Sequence, residues 1–78
     1  MKKNDYYEQD AWVARDYDGS LRLFYAGEPH KWCSNWMNHT SDNGNDWRFC
    51  IDLPHTEFPN VVWSDEKATK VRLSIDVV

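Results

Sequence analysis

With 78 residues, the chain has room for one compact domain spanning 1–78, and folding at this size removes only about 60% of the unfolded surface from water. Thirteen acidic against nine basic residues give a net charge of −4, which argues against nucleic acid and anionic membranes as partners, since both are bound chiefly through Lys and Arg. No apolar run approaches the roughly 20 residues of a membrane span, and Met1-Lys2-Lys3 leads into Asn4-Asp5-Tyr6-Tyr7 rather than a signal-peptide core, so a cytoplasmic location is expected.

Residues 1–9 are a candidate flexible N-terminal segment. Ala11-Trp12-Val13-Ala14-Arg15-Asp16 alternates at strand period and places Trp12 and Ala14 on one side. After Asp16-Tyr17-Asp18-Gly19, Leu21 and Leu23 continue the pattern, which predicts a hairpin. Gly19 suits a positive φ, and Asp16 can bond the backbone of its own turn. A loop over 16–19 would oppose Trp12 to Leu23 and Ala14 to Leu21. A tighter turn at Asp18-Gly19 would set Arg15 against Arg22, which like-charge repulsion disfavours.

A second hairpin is expected between residues 32–37 and 47–51, joined by the polar segment 38–46. Facing Trp36 with Trp47 also opposes Ser34 to Phe49 and Trp32 to Ile51 on an apolar face, and Cys33 to Cys50 on the other. Residues 54–60 carry Pro54 and Pro59 and read as a fixed loop with at most one helical turn. Val61-Val62-Trp63 is a short strand candidate. Residues 71–77 show the clearest alternation, with Val71, Leu73, Ile75 and Val77 inward and Arg72, Ser74 and Asp76 outward. The expected fold is mainly β: an antiparallel sheet of about 5–6 strands curled into a barrel or sandwich. Five Trp, four Tyr and three Phe can supply such a core without a disulfide or metal.

The metal-competent side chains are His30, Cys33, His39, Cys50 and His55. Their spacing lacks the two tight pairs of a structural zinc site, so no metal or other cofactor is expected and zinc should not be needed for folding. In a reducing compartment Cys33 and Cys50 are expected as free thiols. Asp42-Asn43-Gly44-Asn45-Asp46 and Asp16-x-Asp18-Gly19 offer oxygen ligands but lack the terminal Glu of a calcium loop, and both read as turns. No nucleophile elbow, phosphate-cradling glycine loop or HExxH occurs, so the chain is not expected to be an enzyme.

Phe24 and Tyr25 are adjacent, so one of them points away from the face of Leu21 and Leu23. Phe24 with Val13, flanked by Arg15, Arg22 and Tyr17 and extended by Tyr6 and Tyr7, is the candidate exposed binding patch. A second layer covering Val13 and Phe24 is the competing structural explanation.

Trp12-Val13-Ala14-Arg15-Asp16-Tyr17-Asp18-Gly19-Ser20-Leu21-Arg22-Leu23-Phe24, with Phe58-Pro59-Asn60-Val61-Val62-Trp63 downstream, resembles short uncharacterised proteins of bacteriophages, prophages and gut bacteria. The likeness spans about residues 12–75, excludes the segment 28–50, and implies a fold and a mobile-element setting rather than an activity. The expected function is a non-enzymatic interaction module, an accessory protein of a phage or prophage, with a protein partner or a second copy. A carbohydrate-binding domain using exposed Trp and Asn is the alternative. A metal-dependent enzyme subunit comes third.

Overall fold

The computed structural model describes residues 6–38 and 49–76. These form β1 (Tyr6–Arg15), β2 (Leu21–Phe24), β3 (His30–Trp32), β4 (Asn35–Met37), β5 (Cys50–Leu53) and β6 (Thr69–Asp76). Four strands make an antiparallel sheet in the order β5-β2-β1-β6, and β3 and β4 form a separate hairpin. The fold is therefore mainly β and antiparallel, and its sheets are not closed into a barrel.

The first hairpin forms between the expected segments but pairs one residue away from the expected register: Trp12 opposes Phe24, Val13 opposes Leu23, Ala14 opposes Arg22 and Arg15 opposes Leu21. The shift arises because Ser20 belongs to the loop. Asp16 N–H donates to Ser20 O at 2.9 Å, and Gly19 N–H donates to Asp16 O at 3.0 Å with Gly19 at φ 94°. The Ser20 N–H is held by Asp18 Oδ1 at 2.9 Å. Because side chains alternate across a strand, this register sends Ala11, Val13, Leu21 and Leu23 to one face and Trp12, Ala14 and Phe24 to the other.

The expected second hairpin is corrected. Cys33 lies at φ 57°, a left-handed conformation that interrupts an extended chain, and residues 32–37 fold back on themselves with Trp32 opposite Asn35 and Lys31 opposite Trp36. β5 instead joins β2, with Phe24 opposite Cys50 and Leu23 opposite Ile51. Cys33 and Cys50 are consequently not cross-strand partners, one lying in a turn and one in the larger sheet, and both are free thiols. Trp47 and segment 39–48 lie outside the described residues, and so does the proposed Trp36–Trp47 pair. Residues 61–63 are not a strand, and 54–60 is a loop of turns, as its prolines require.

Each face of the larger sheet has its own core. Ala11, Val13, Leu21 and Leu23 meet Val61, with Leu53, Val71 and Leu73 at the margin. On the other face Ala14, Phe24 and Trp36 cluster, flanked by Trp12, Cys50, Trp63 and Ala68. Phe24 and Trp36 are the largest fully buried side chains. Removing roughly 150–250 Å² each from water contributes about 4–6 kcal/mol apiece before entropy is counted.

The β3–β4 hairpin docks through the loop between β1 and β2. Buried Asp16 accepts the Trp36 N–H at 2.9 Å through Oδ1, while Tyr17 N–H donates to Ser34 O at 3.0 Å and Trp36 Nε1–H to Arg15 O at 3.0 Å. Trp36 stands edge-on to Trp63, and Trp63 to Tyr17, with centroids 6.4 and 6.0 Å apart. Lys31 Nζ sits 4.4 Å from the Trp63 ring centre.

Candidate functional site

β1 runs for 10 residues, whereas β2 is 4 residues long and meets β1 only at Trp12–Arg15. Among the described residues the N-terminal half of β1 is paired only with β6, from Tyr6 opposite Asp76 to Ala11 opposite Val71. The two strands form an arm that runs past the rest of the sheet. Residue alternation continues along it, so Tyr7, Gln9, Leu73 and Ile75 lie on the face that carries Val13 and Leu23 farther along. That face is cored where Val61 covers it, but Tyr7 and Ile75, directly opposite one another, remain 53% and 58% exposed.

The arm's other face carries Glu8, Asp10, Lys70 and Arg72, which pair among themselves, and ends in exposed Tyr6 and Asp76. Arg72 reaches Glu8 at 2.9 Å and Asp10 at 3.6 Å, and Lys70 reaches Asp10 at 3.4 Å. Such solvent-facing pairs contribute only tenths of a kcal/mol each, but they set which face of the arm is wet. Among the described residues β6 pairs with β1 alone, so its outer edge presents backbone groups to a further strand.

The patch expected on Val13 and Phe24 is not formed. They are 1% and 0% exposed and point to opposite faces, because the actual register places Phe24 beneath Trp36 and Val13 beneath Val61. Arg15 is equally committed. Its Nε–H donates to Val61 O at 2.7 Å, Nη1 to Gly19 O and His55 O at 2.9 and 3.1 Å, and Nη2 to Glu57 O and Phe58 O at 3.0 and 3.2 Å. All five guanidinium donors are thus spent on holding residues 55–61 against the hairpin loop. Arg22 pairs with buried Asp16 at 3.3 Å and with Asp52, whereas Tyr17, Tyr6 and Tyr7 keep widely exposed side chains, at 70%, 50% and 53%.

The metal candidates are dispersed. His30 begins β3, Cys33 is in the β3–β4 turn, Cys50 begins β5 and His55 is in the following loop. Among the described residues no three His, Cys, Asp or Glu side chains come together as a metal site; His39 lies outside them. Asp16 and Asp18 serve the backbone of the hairpin loop and the docked hairpin, in keeping with a turn. A cleft of about 270 Å³ opens beside Ser20, Arg22, Asp52 and His55, with the Arg22–Asp52 ion pair on its wall.

Tyr7 is a sequence candidate only as an outer member of the Val13–Phe24 patch, while Leu73 and Ile75 are expected inward. The parity shared by Tyr7, Gln9, Ala11 and Val13 is legible in the sequence, but the overhang of a 10-residue strand beside a 4-residue one is not.

No protein-family model matches the chain, and comparisons with curated proteins and with solved structures find no match.

Proposed function

We propose that this chain is a non-enzymatic protein-interaction module that works through the β1–β6 arm, taking a partner against the apolar side of the arm and along the β6 edge. The observation that carries the reading is the Tyr7–Ile75 pair, exposed at 53% and 58% on an arm whose opposite face carries ion pairs of its own. Apolar side chains held out on a rigid strand pair mark contact surfaces, and strand addition supplies main-chain hydrogen bonds while alternate side chains set specificity. An accessory role in a phage or prophage fits the likeness of the Trp12–Phe24 segment to proteins of those elements. A photo-activatable residue at position 7, expressed in the source cell, should form a protein adduct that Ile75→Lys in the same chain abolishes. The same residue at the exposed position 58 should not form it. Equal adducts at 7 and 58, or none at 7, contradict the reading.

A second reading has one observation behind it. Trp32 is 47% exposed and stands directly opposite Asn35 across the β3–β4 hairpin, a ring and an amide on one face that could stack on and hydrogen-bond a sugar. Quenching of tryptophan fluorescence by soluble oligosaccharides, lost in Trp32→Ala, tests it.

A further inference from the structure

We infer that the arm's partner is a second copy of this chain, joined by antiparallel pairing of the two β6 edges; the inference rests on the interaction reading above. In an antiparallel pair, directly opposite residues point to the same face of the sheet. A two-fold pairing of β6 with itself therefore keeps its apolar residues on one side only if the axis passes through a residue position. Centring it on Leu73 places Leu73 against Leu73, Val71 against Ile75 of the second copy, Arg72 against its Ser74 and Lys70 against its Asp76. Every pair is apolar with apolar or oppositely charged, except Arg72 with a neutral Ser74. Centring on Arg72 sets two guanidiniums directly opposite. Centring on Ser74 sets Leu73 against Ile75 and Arg72 against Asp76 of the second copy.

Both the Leu73 and the Ser74 register give Asp76 a basic partner, and the Leu73 register is favoured because Arg72 already holds Glu8 and Asp10, whereas Lys70 holds Asp10 alone. Asp76 is exposed and makes no ion pair with another described residue. Lys70 is 63% exposed and holds Asp10 at 3.4 Å, and an ammonium with three donors has capacity for a second carboxylate. The register repeats this contact at both ends. It also gives Ile75, the most exposed apolar side chain of the arm, a cross-strand neighbour in Val71 of the second copy. The two four-stranded sheets become one continuous sheet with a single apolar face across the junction.

Sedimentation equilibrium from micromolar to millimolar concentration tests the inference, with circular dichroism to verify the fold of each variant. The wild-type chain should dimerise, and Asp76→Lys should weaken dimerisation about tenfold or more, since both symmetry-related contacts change from attraction to repulsion. Lys70→Asp should do the same, and mixing the two variants should restore association because each then offers the other opposite charges at both ends. If Lys70→Asp disturbs the fold through Asp10, Asp76→Lys alone still decides. A wild-type chain that stays monomeric at millimolar concentration, or a dimer indifferent to Asp76→Lys, overturns the inference. A monomer that still forms the position-7 adduct with another protein overturns self-pairing while leaving the interaction reading standing; loss of both overturns both.

Discussion

Arg15→Ala should release residues 55–61 from the hairpin loop. Of the five hydrogen bonds removed, those to Val61 O at 2.7 Å and Gly19 O at 2.9 Å are partly buried, and the other three are exposed, so water can replace them. A hydrogen bond involving a charged group contributes about 1.5–3 kcal/mol. Taking the low end for the two partly buried bonds and nothing for the rest gives a loss of about 3 kcal/mol, against a total of roughly 4–12 kcal/mol for a chain of this length. Arg15→Lys keeps the charge but has three donors and no planar fork, and should lose about 1–2 kcal/mol. Urea unfolding followed by tryptophan fluorescence measures both losses, and limited proteolysis should show new cleavage within 54–60. An Arg15→Ala chain with the wild-type urea midpoint and no added cleavage would refute the assignment of Arg15 as the clamp of that loop.

Phe24→Ser should cost about 3–5 kcal/mol, as emptying a closed aromatic site does, because Phe24 is 0% exposed beneath Trp36; a thermal melt close to wild type would remove it from the core. Asp16→Ala leaves the buried Trp36 N–H without its carboxylate and should cost about 1–3 kcal/mol, with loss of Trp36 near-ultraviolet dichroism as the hairpin undocks; an unchanged spectrum would contradict the docking. Cys33 is exposed and Cys50 half-buried, so a thiol reagent should modify Cys33 first; faster modification of Cys50 in Cys33→Ser than of Cys33 in Cys50→Ser contradicts the exposures. Cys33→Gly should relieve the left-handed φ of 57° and stabilise by up to about 1 kcal/mol, and a loss in the urea midpoint counts against strain there.

How much of this was legible in the sequence depends on where each signal resides. Asp16-Tyr17-Asp18-Gly19 announces a hairpin through local turn chemistry, and β1, β2 and β6 follow from alternation. The one-residue error in register came from Ser20, whose place in the loop is fixed by contacts with Asp16 and Asp18. Cys33 has no turn preference that would betray a left-handed bend, so residues 32–37 look like one strand until tertiary contacts from Asp16 and Tyr17 hold the bend in place. The candidate patch failed for the same reason: with the register shifted, Val13 and Phe24 go to separate cores. The residues left outside are Tyr7 and Ile75, because burial on this face depends on how far β2 and Val61 reach, and neither length nor reach is encoded in the alternation of β1 and β6.

The claim that the β6 edge is the working surface is tested most directly by residue-resolved amide exchange at low and high protein concentration. Antiparallel strands direct N–H groups alternately to either side, so alternate amides of β6, those not committed to β1, should exchange more slowly as concentration rises, while those of β2 and β5 stay the same. Unchanged exchange along β6, or slowing confined to β5, would contradict the account.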